Sequence, residues 1–312
     1  MGDKGTNRIE EIDIAKGICI LLMVIGHSGM KNMIHDFIYA FHMPFFFFIS
    51  GVTTNVQKPF NLFIKSKVVG LLVPFIVYFI IQLPLYAYLH DLSIGGQLIR
   101  ELSDKIDGAL WFIPILFLSQ IVICLIPKIH FYEVVAIIGF ASLSSLLCLN
   151  GVHLPWNLSV LGLSVSFVLM GRMLAVGGAK ILFSLSNCLM KSLFVLSLSA
   201  SVTILISRFY NMGMYFDIIE PSLIIMTGAM SGILFVLIVS GLCKRYSSRI
   251  TYFFTYTGVN TFVFIGLSQL ILKYENLFIY EYTALKYVIL FVALYSLIYV
   301  KNFIPMARKL RL

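Results

Sequence analysis

The first apolar segment of the chain carries three ionisable side chains whose spacing places them on one side of a helix. Lys16 and His27 are eleven residues apart, which puts them within about 20° of one line at 100° per residue. Asp13 lies about 40–60° off that line and three residues before Lys16, with which it can pair. Charged groups inside a membrane span are costly and usually face a polar interior. The pattern predicts a polar stripe that ends in a histidine able to act as general acid or base. Snorkelling of Lys16 and a purely structural His27 are the alternatives.

A second histidine opens the next apolar segment. His42 stands two residues before Pro44, which begins a run rich in phenylalanine. Because the linker after the first segment is short, the second helix should begin at the face where the first ends, and His42 should lie at the depth of His27. Two imidazoles at one depth can share acid, base or orienting work. Alternatively, His42 hydrogen-bonds a carbonyl group that Pro44 leaves free.

Two lysines precede the third apolar segment. Lys65 and Lys67 lie shortly before the run Leu71 to Phe75. On their own they are explained as signals that set membrane topology. Together with Lys16 they can also form a cationic mouth for an anionic cosubstrate, such as a nucleotide whose phosphates lysines bind as point charges.

The elements that must position these side chains are transmembrane helices. Of the 312 residues, 60% are hydrophobic and 12% are charged, about half the charged share of a soluble domain. This composition excludes a soluble enzyme, a disordered chain and a secreted disulfide scaffold, and it leaves no room for a separate soluble domain. We predict an all-α, polytopic transmembrane bundle of about ten helices that forms one domain over residues 1–312. The helices are expected at roughly 12–30, 37–55, 68–89, 109–127, 131–149, 157–176, 190–208, 221–242, 251–272 and 284–304.

The distribution of charge predicts the orientation. With a cytoplasmic N-terminus, 16 of the 23 lysines and arginines fall in cytoplasmic segments and six on the opposite side. Excess basic residues mark the cytoplasmic side, so both termini should be cytoplasmic, in the inner membrane. The net charge of +9 is scattered between apolar spans, which argues against a nucleic-acid partner. Five widely spaced cysteines indicate packed thiols rather than a metal site. Trp111 and the three residues after it fit an interfacial aromatic belt.

Three short motifs resemble the acyltransferase 3 family of integral membrane acyltransferases, and most closely its fucose 4-O-acetylase-like members. Lys16 and His27 match the family's basic-residue–x10–His motif, and the phenylalanine run that ends in Ile49-Ser50-Gly51 matches its Phe-Phe-x-x-Ser-Gly motif. Lys65 and Lys67 stand where basic residues precede a Leu-Leu-x-Pro-aromatic run. Weaker matches follow at Trp111-Phe112, Gly171-Arg172 and Gly258 to Thr261. Many relatives have arginines at the two lysine positions, and a histidine where this chain has Ser268-Gln269.

The resemblance implies transfer of an acyl group, commonly acetyl from acetyl-CoA, to a hydroxyl of a cell-envelope sugar or polysaccharide. The acceptor can be lipid-linked, and no metal is implied. A lipid-linked sugar flippase or exporter is the alternative, because a buried charged stripe suits a transport path equally well. The candidate residues are His27 and His42 for catalysis, Lys16, Lys65 and Lys67 for the donor, and Asp13, Ser50, Trp111, Arg172 and Asn260 in support.

Overall fold

The computed structural model describes residues 9–27, 33–54, 59–210, 212–220, 222–278 and 283–303. These residues are almost entirely helical, with one short antiparallel hairpin. The elements are α1 Glu10–Gly26, α2 Met33–Tyr39, α3 His42–Thr53, α4 Phe60–Lys67, α5 Val73–Leu89, α6 Ile94–Ser103, α7 Phe112–Leu125, α8 His130–Leu149, α9 Leu161–Ser184, α10 Leu189–Phe209, β1 Met212–Gly213, β2 Ile218–Ile219, α11 Ser222–Tyr246, α12 Ser248–Val259, α13 Thr261–Phe278 and α14 Thr283–Phe303. A π-helical segment, Val68–Leu72, joins α4 to α5, and a 3₁₀ segment, Pro155–Val160, precedes α9.

The predicted class, a polytopic transmembrane helical bundle, is confirmed. Within the described ranges, seven helical segments are long and apolar enough to cross a membrane, or eight if α12 and α13 form one span bent by 78°. Each of the ten predicted segments has a helical counterpart, but α1 and α7 have only 17 and 14 residues. The count of ten is therefore approximate. The predicted helix ends at residues 28–30, 55 and 304 lie outside the described residues.

Helices at the centre of the bundle differ from those at its edge. The central helices α1, α3, α9 and α11 bury large apolar side chains, among them Ile14, Phe47 and Phe167. The peripheral helices α10 and α14 expose theirs, for example Phe194 and Val292. Lipid tails are as apolar as leucine, so outward apolar side chains cost nothing in a membrane. The polar side chains that could do chemistry are held mainly by the central helices.

Two helix crossings explain the glycines in the family-like motifs. A Cβ atom at Gly51 of α3 would lie 2.0 Å from the carbonyl oxygen of Val168, and one at Gly171 of α9 would lie 1.9 Å from that of Phe48. Only glycine permits this backbone approach, which is typical of small-residue contacts between membrane helices. The Ser-Gly motif of α3 and the Gly-Arg motif of α9 are therefore the two sides of one crossing.

Gly258 provides a similar contact between α12 and α1. A Cβ atom there would lie 1.9 Å from the carbonyl oxygen of Asp13. The crossing fixes α12 against the part of α1 that carries the polar stripe.

Candidate active site

Two imidazole rings meet where α1 ends and α3 begins. His27 directly follows α1, and His42 is the first residue of α3. Their ring centroids are 5.8 Å apart and the rings are nearly perpendicular, at 86°. Tyr39 packs against both, with centroid distances of 5.4 Å to His27 and 4.9 Å to His42. The two histidines therefore lie at one depth, as the short linker predicts.

The hydrogen bonds of the two rings fix their tautomers. His27 Nδ1 lies 2.8 Å from the carbonyl oxygen of Met23, and His42 Nδ1 lies 3.0 Å from that of Ile38. A carbonyl oxygen can only accept, so Nδ1 carries the proton in each ring. In the neutral imidazole, Nε2 then keeps its lone pair and can accept a proton from a substrate. His42 uses the carbonyl of Ile38, the residue four positions before it, and not that of the residue four positions before Pro44.

A cavity of about 170 Å³ lies beside the rings. Its wall comes from distant parts of the chain, and none of its described residues is acidic. The main side chains and segments in the wall are His27, Tyr39, His42, Trp111, the residues 213–216, Gln269 and Lys273. The site therefore combines two bases with one lysine and an aromatic surface.

The hairpin β1–β2 closes one side of this cavity, and the buried carboxylate of Asp217 holds it in place. The carboxylate of Asp217 lies 2.9 Å from Lys105 Nζ and 3.1 Å from His153 Nδ1. Lys105 also donates to the carbonyl of Tyr215 at 3.0 Å, as does Asn157 at 2.7 Å. Burial raises the pKa of the Tyr215 phenol to about 12, so its hydroxyl is neutral at physiological pH. Sequence reasoning missed this hairpin, since no motif marks it.

Trp111 belongs to the cavity and not to the membrane interface. Its side chain is 4% exposed, and its ring lies 6.1 Å from that of Tyr215. The prediction of an interfacial aromatic belt at Trp111 is wrong, because a buried ring cannot lie among lipid headgroups.

A chain of hydrogen bonds occupies the opposite end of α3. Lys67 donates to Thr54 Oγ1 at 3.1 Å, and Thr54 donates to Gln120 Oε1 at 2.7 Å. Gln120 in turn donates to the hydroxyl of Ser50. The structure thus joins two predicted residues, Lys67 and Ser50, through two that the sequence did not indicate. Lys65 is exposed beside them.

The part of the polar stripe near the N-terminus of α1 is present in the structure. Lys16 Nζ lies 3.5 Å from Asp13 Oδ1, with the carboxylate buried and the lysine partly exposed. Nearby, Asn260 occupies the break between α12 and α13, where it accepts a hydrogen bond from Lys301. Asn260 thus stabilises a bent span, at the crossing that Gly258 makes with α1.

Arg172 lies away from the histidines, at the junction of α7, α8 and α9. Its Nε donates to Glu133 Oε1 at 2.7 Å, and Nη1 donates to the carbonyls of Ile123 and Ile126 at the end of α7. A buried arginine at a helix C-terminus satisfies carbonyls that have no partner within the helix. These contacts make Arg172 a link between α7, α8 and α9, although its Nη2 is buried without a hydrogen-bond partner among the described residues.

Comparison with known proteins decides the family. The family model of the acyltransferase domain matches residues 9–302. The chain belongs to the acyltransferase 3 family. It is also 30% identical over 133 residues to nodulation protein NolL of Mesorhizobium japonicum (strain LMG 29417 / CECT 9101 / MAFF 303099), a match that covers 38% of this chain and 35% of that protein. The match thus spans about a third of its curated relative, and no solved structure matches the chain.

The protein is therefore a membrane acyltransferase, as the resemblance of its motifs indicated. Membership favours acyl transfer over a flippase or exporter. Within the acyltransferase, the family-like residues separate into those that line the cavity, His27, His42 and Trp111, and those that hold helices together, Arg172 and Asn260. Among the described residues, no group of three His, Cys, Asp or Glu side chains could hold a metal ion.

Proposed function

We propose that this acyltransferase moves an acetyl group from acetyl-CoA to a hydroxyl of a cell-envelope sugar or polysaccharide. The observation that carries the proposal is the pair of imidazoles beside one cavity, each with Nδ1 bonded to backbone and Nε2 left as an acceptor. Acyl transfer to a hydroxyl needs a base of this kind, because a neutral alcohol is a weak nucleophile.

The reaction assigns different roles to the two rings. His27 is the less buried ring, and its Nε2 takes the proton of the acceptor hydroxyl. The oxygen attacks the thioester carbonyl, the carbon–sulfur bond breaks, and the CoA thiolate recovers the proton from the imidazolium. His42 orients His27 or takes over one of these proton transfers. A transient acyl group on His27 is the second route to the same products.

The lysines at the other end of α3 bind the donor in this proposal. Lys67 donates a hydrogen bond to Thr54, and Lys65 is exposed. Lys16 lies on α1, about 16 Å along the helix from His27. Phosphates of CoA would contact these ammonium groups as point charges. The pantetheine arm would then follow the polar stripe towards the histidines.

The orientation in the inner membrane follows from the distribution of basic residues. We propose cytoplasmic termini, which places the lysines at the cytoplasmic face and the histidine cavity towards the outer face. Reporter fusions at the C-terminus and after Asp104 should report inside and outside, respectively. A C-terminal reporter on the outer side would contradict this orientation and the route proposed for the donor.

The test of the function is acetyl transfer by membranes that hold the protein. Membranes are supplied with radiolabelled acetyl-CoA, and the label in envelope glycans is compared between the wild type and His27→Ala. Loss of a general base typically lowers the rate about 10²–10⁴-fold. His130→Ala is the matched control, because His130 is exposed at the start of α8. Equal labelling by a normally expressed His27→Ala protein would remove His27 from the mechanism.

A further inference from the structure

Two polar side chains of α13 reach the histidine cavity from a helix that follows the break at Asn260. Gln269 and Lys273 both contribute to the cavity wall. They are four residues apart, so they lie on one face of the helix. Gln269 therefore shares one cavity with His27 and His42.

Lys273 is the one side chain in the described wall that carries a permanent charge. The nearby carboxylate of Asp107 already has partners, since Arg100 lies 2.9 Å from Asp107 Oδ2 and Gln97 donates to it at 2.8 Å. Gln97 also donates to Glu101. Lys273 instead has its Nζ 4.6 Å from the centroid of the Tyr86 ring. Among the described residues no acceptor bonds this ammonium group, so its N–H donors can serve a ligand.

Tyr86 positions Lys273 without being part of the described cavity wall. Its side chain is completely buried, and its hydroxyl has no hydrogen-bond partner among the described residues. The hydroxyl lies beside Gly108, where a Cβ atom would be 2.8 Å from it. Gly108 belongs to the cavity wall and has a φ of +72°. The hydroxyl therefore lies behind Gly108, which is the residue that lines the cavity at this point.

We infer that Lys273 and Gln269 form an acceptor subsite for a negatively charged group next to the hydroxyl that is acylated. An oxyanion would receive a charge-assisted hydrogen bond from the lysine and a neutral one from the amide. The inference rests on the proposed function and narrows its acceptor to an anionic glycan. The shared chemistry is an oxyanion, which can be a sugar carboxylate or the phosphate of a lipid carrier.

The experiment separates labelled glycans by charge. Membranes with wild type, Lys273→Gln or Lys273→Arg receive radiolabelled acetyl-CoA, and the extracted glycans pass over an anion exchanger. We expect the label in the retained fraction, a loss of about ten- to a hundredfold with Lys273→Gln, and partial recovery with Lys273→Arg. Lys191→Gln on the exposed surface of α10 is the matched control.

Two further measurements assign the effect to the acceptor and identify its source. Titration of the purified Lys273→Gln protein with CoA should give the wild-type dissociation constant, and a weaker one would overturn an acceptor role. Carbodiimide reduction of carboxylates should abolish retention if the charge is a sugar acid, and mild acid cleavage of the bond between the sugar and the carrier phosphate should abolish it if the charge is on the carrier.

The two proposals fail in different ways. Label in the unretained fraction, equal for wild type and Lys273→Gln, would overturn the anionic acceptor and leave the proposed function standing. Absence of label from every glycan fraction, with wild type and His27→Ala alike, would overturn the proposed function and this inference with it.

Discussion

The histidine cavity and the Arg172 junction are both buried, polar and built from family-like motifs, yet they differ in how their hydrogen bonds are used. Each histidine donates from Nδ1 to the carbonyl of the residue four positions before it and leaves Nε2 as an acceptor beside a cavity. Arg172 instead donates to Glu133 and to two carbonyls at the end of α7. A motif match therefore identifies a position but not its role. Unused hydrogen-bonding capacity beside open space indicates chemistry, and donors engaged by neighbouring helices indicate packing.

The largest expected effect concerns the histidine cavity. His42→Gln removes the imidazole but keeps a polar side chain at the start of α3. We expect the acetyl-transfer rate to fall about 10²–10⁴-fold, while the melting temperature in detergent stays near that of the wild type. A variant that loses stability along with activity would place His42 with the packing residues instead.

At the Arg172 junction we expect the opposite result, a loss of stability without a loss of activity. Arg172→Met leaves Glu133 buried without its partner, which should lower the free energy of unfolding by about 3–5 kcal/mol. Activity per folded molecule should be unchanged. The double variant Arg172→Met/Glu133→Leu removes both charges and should recover most of the loss, as measured by thermal unfolding. A stable single variant that no longer transfers acetyl groups would show that Arg172 takes part in the reaction.

The lysines at the far end of α3 test whether donor and acceptor sites are separate. Replacing Lys65 and Lys67 with Gln would remove the two phosphate contacts that we propose for the donor, each expected to contribute about 1.5–3 kcal/mol as a hydrogen bond to a charged group. CoA affinity should fall by one to several orders of magnitude, and apparent acceptor affinity should change little. Titration of wild-type and double-variant protein with CoA is the measurement. Equal dissociation constants would make these lysines topology signals alone.

The smallest expected effect concerns the glycine crossing of α3 and α9. Gly51→Ala places a Cβ atom 2.0 Å from the carbonyl oxygen of Val168, so the helices must separate, at a cost of about 1–3 kcal/mol. Gly139→Ala is the matched control, because nothing lies within 4 Å of a Cβ atom at that position of α8. It should be neutral or stabilise the helix by up to about 1 kcal/mol. Equal melting temperatures for the two variants would contradict the close approach.

Local sequence determined the helices and part of the site. Runs of about 20 apolar residues must form helices in a membrane, because only internal hydrogen bonds can satisfy the backbone there. The pairing of Asp13 with Lys16 depends only on three-residue spacing within one helix. The approach of His27 to His42 needed only a short linker between consecutive helices.

Tertiary structure decided everything that joins distant parts of the chain. Gln269 and Lys273 reach the histidines because α13 turns by 78° from α12, and no local pattern encodes that angle. The sequence predicts Trp111 at the membrane interface, but in the folded chain its ring packs beside Tyr215 of the hairpin. Such contacts depend on how helices cross, which is set by the packing of many side chains and a few glycines. The sequence alone thus indicated the two histidines and their common depth. Only the packed bundle decided which other residues share their cavity.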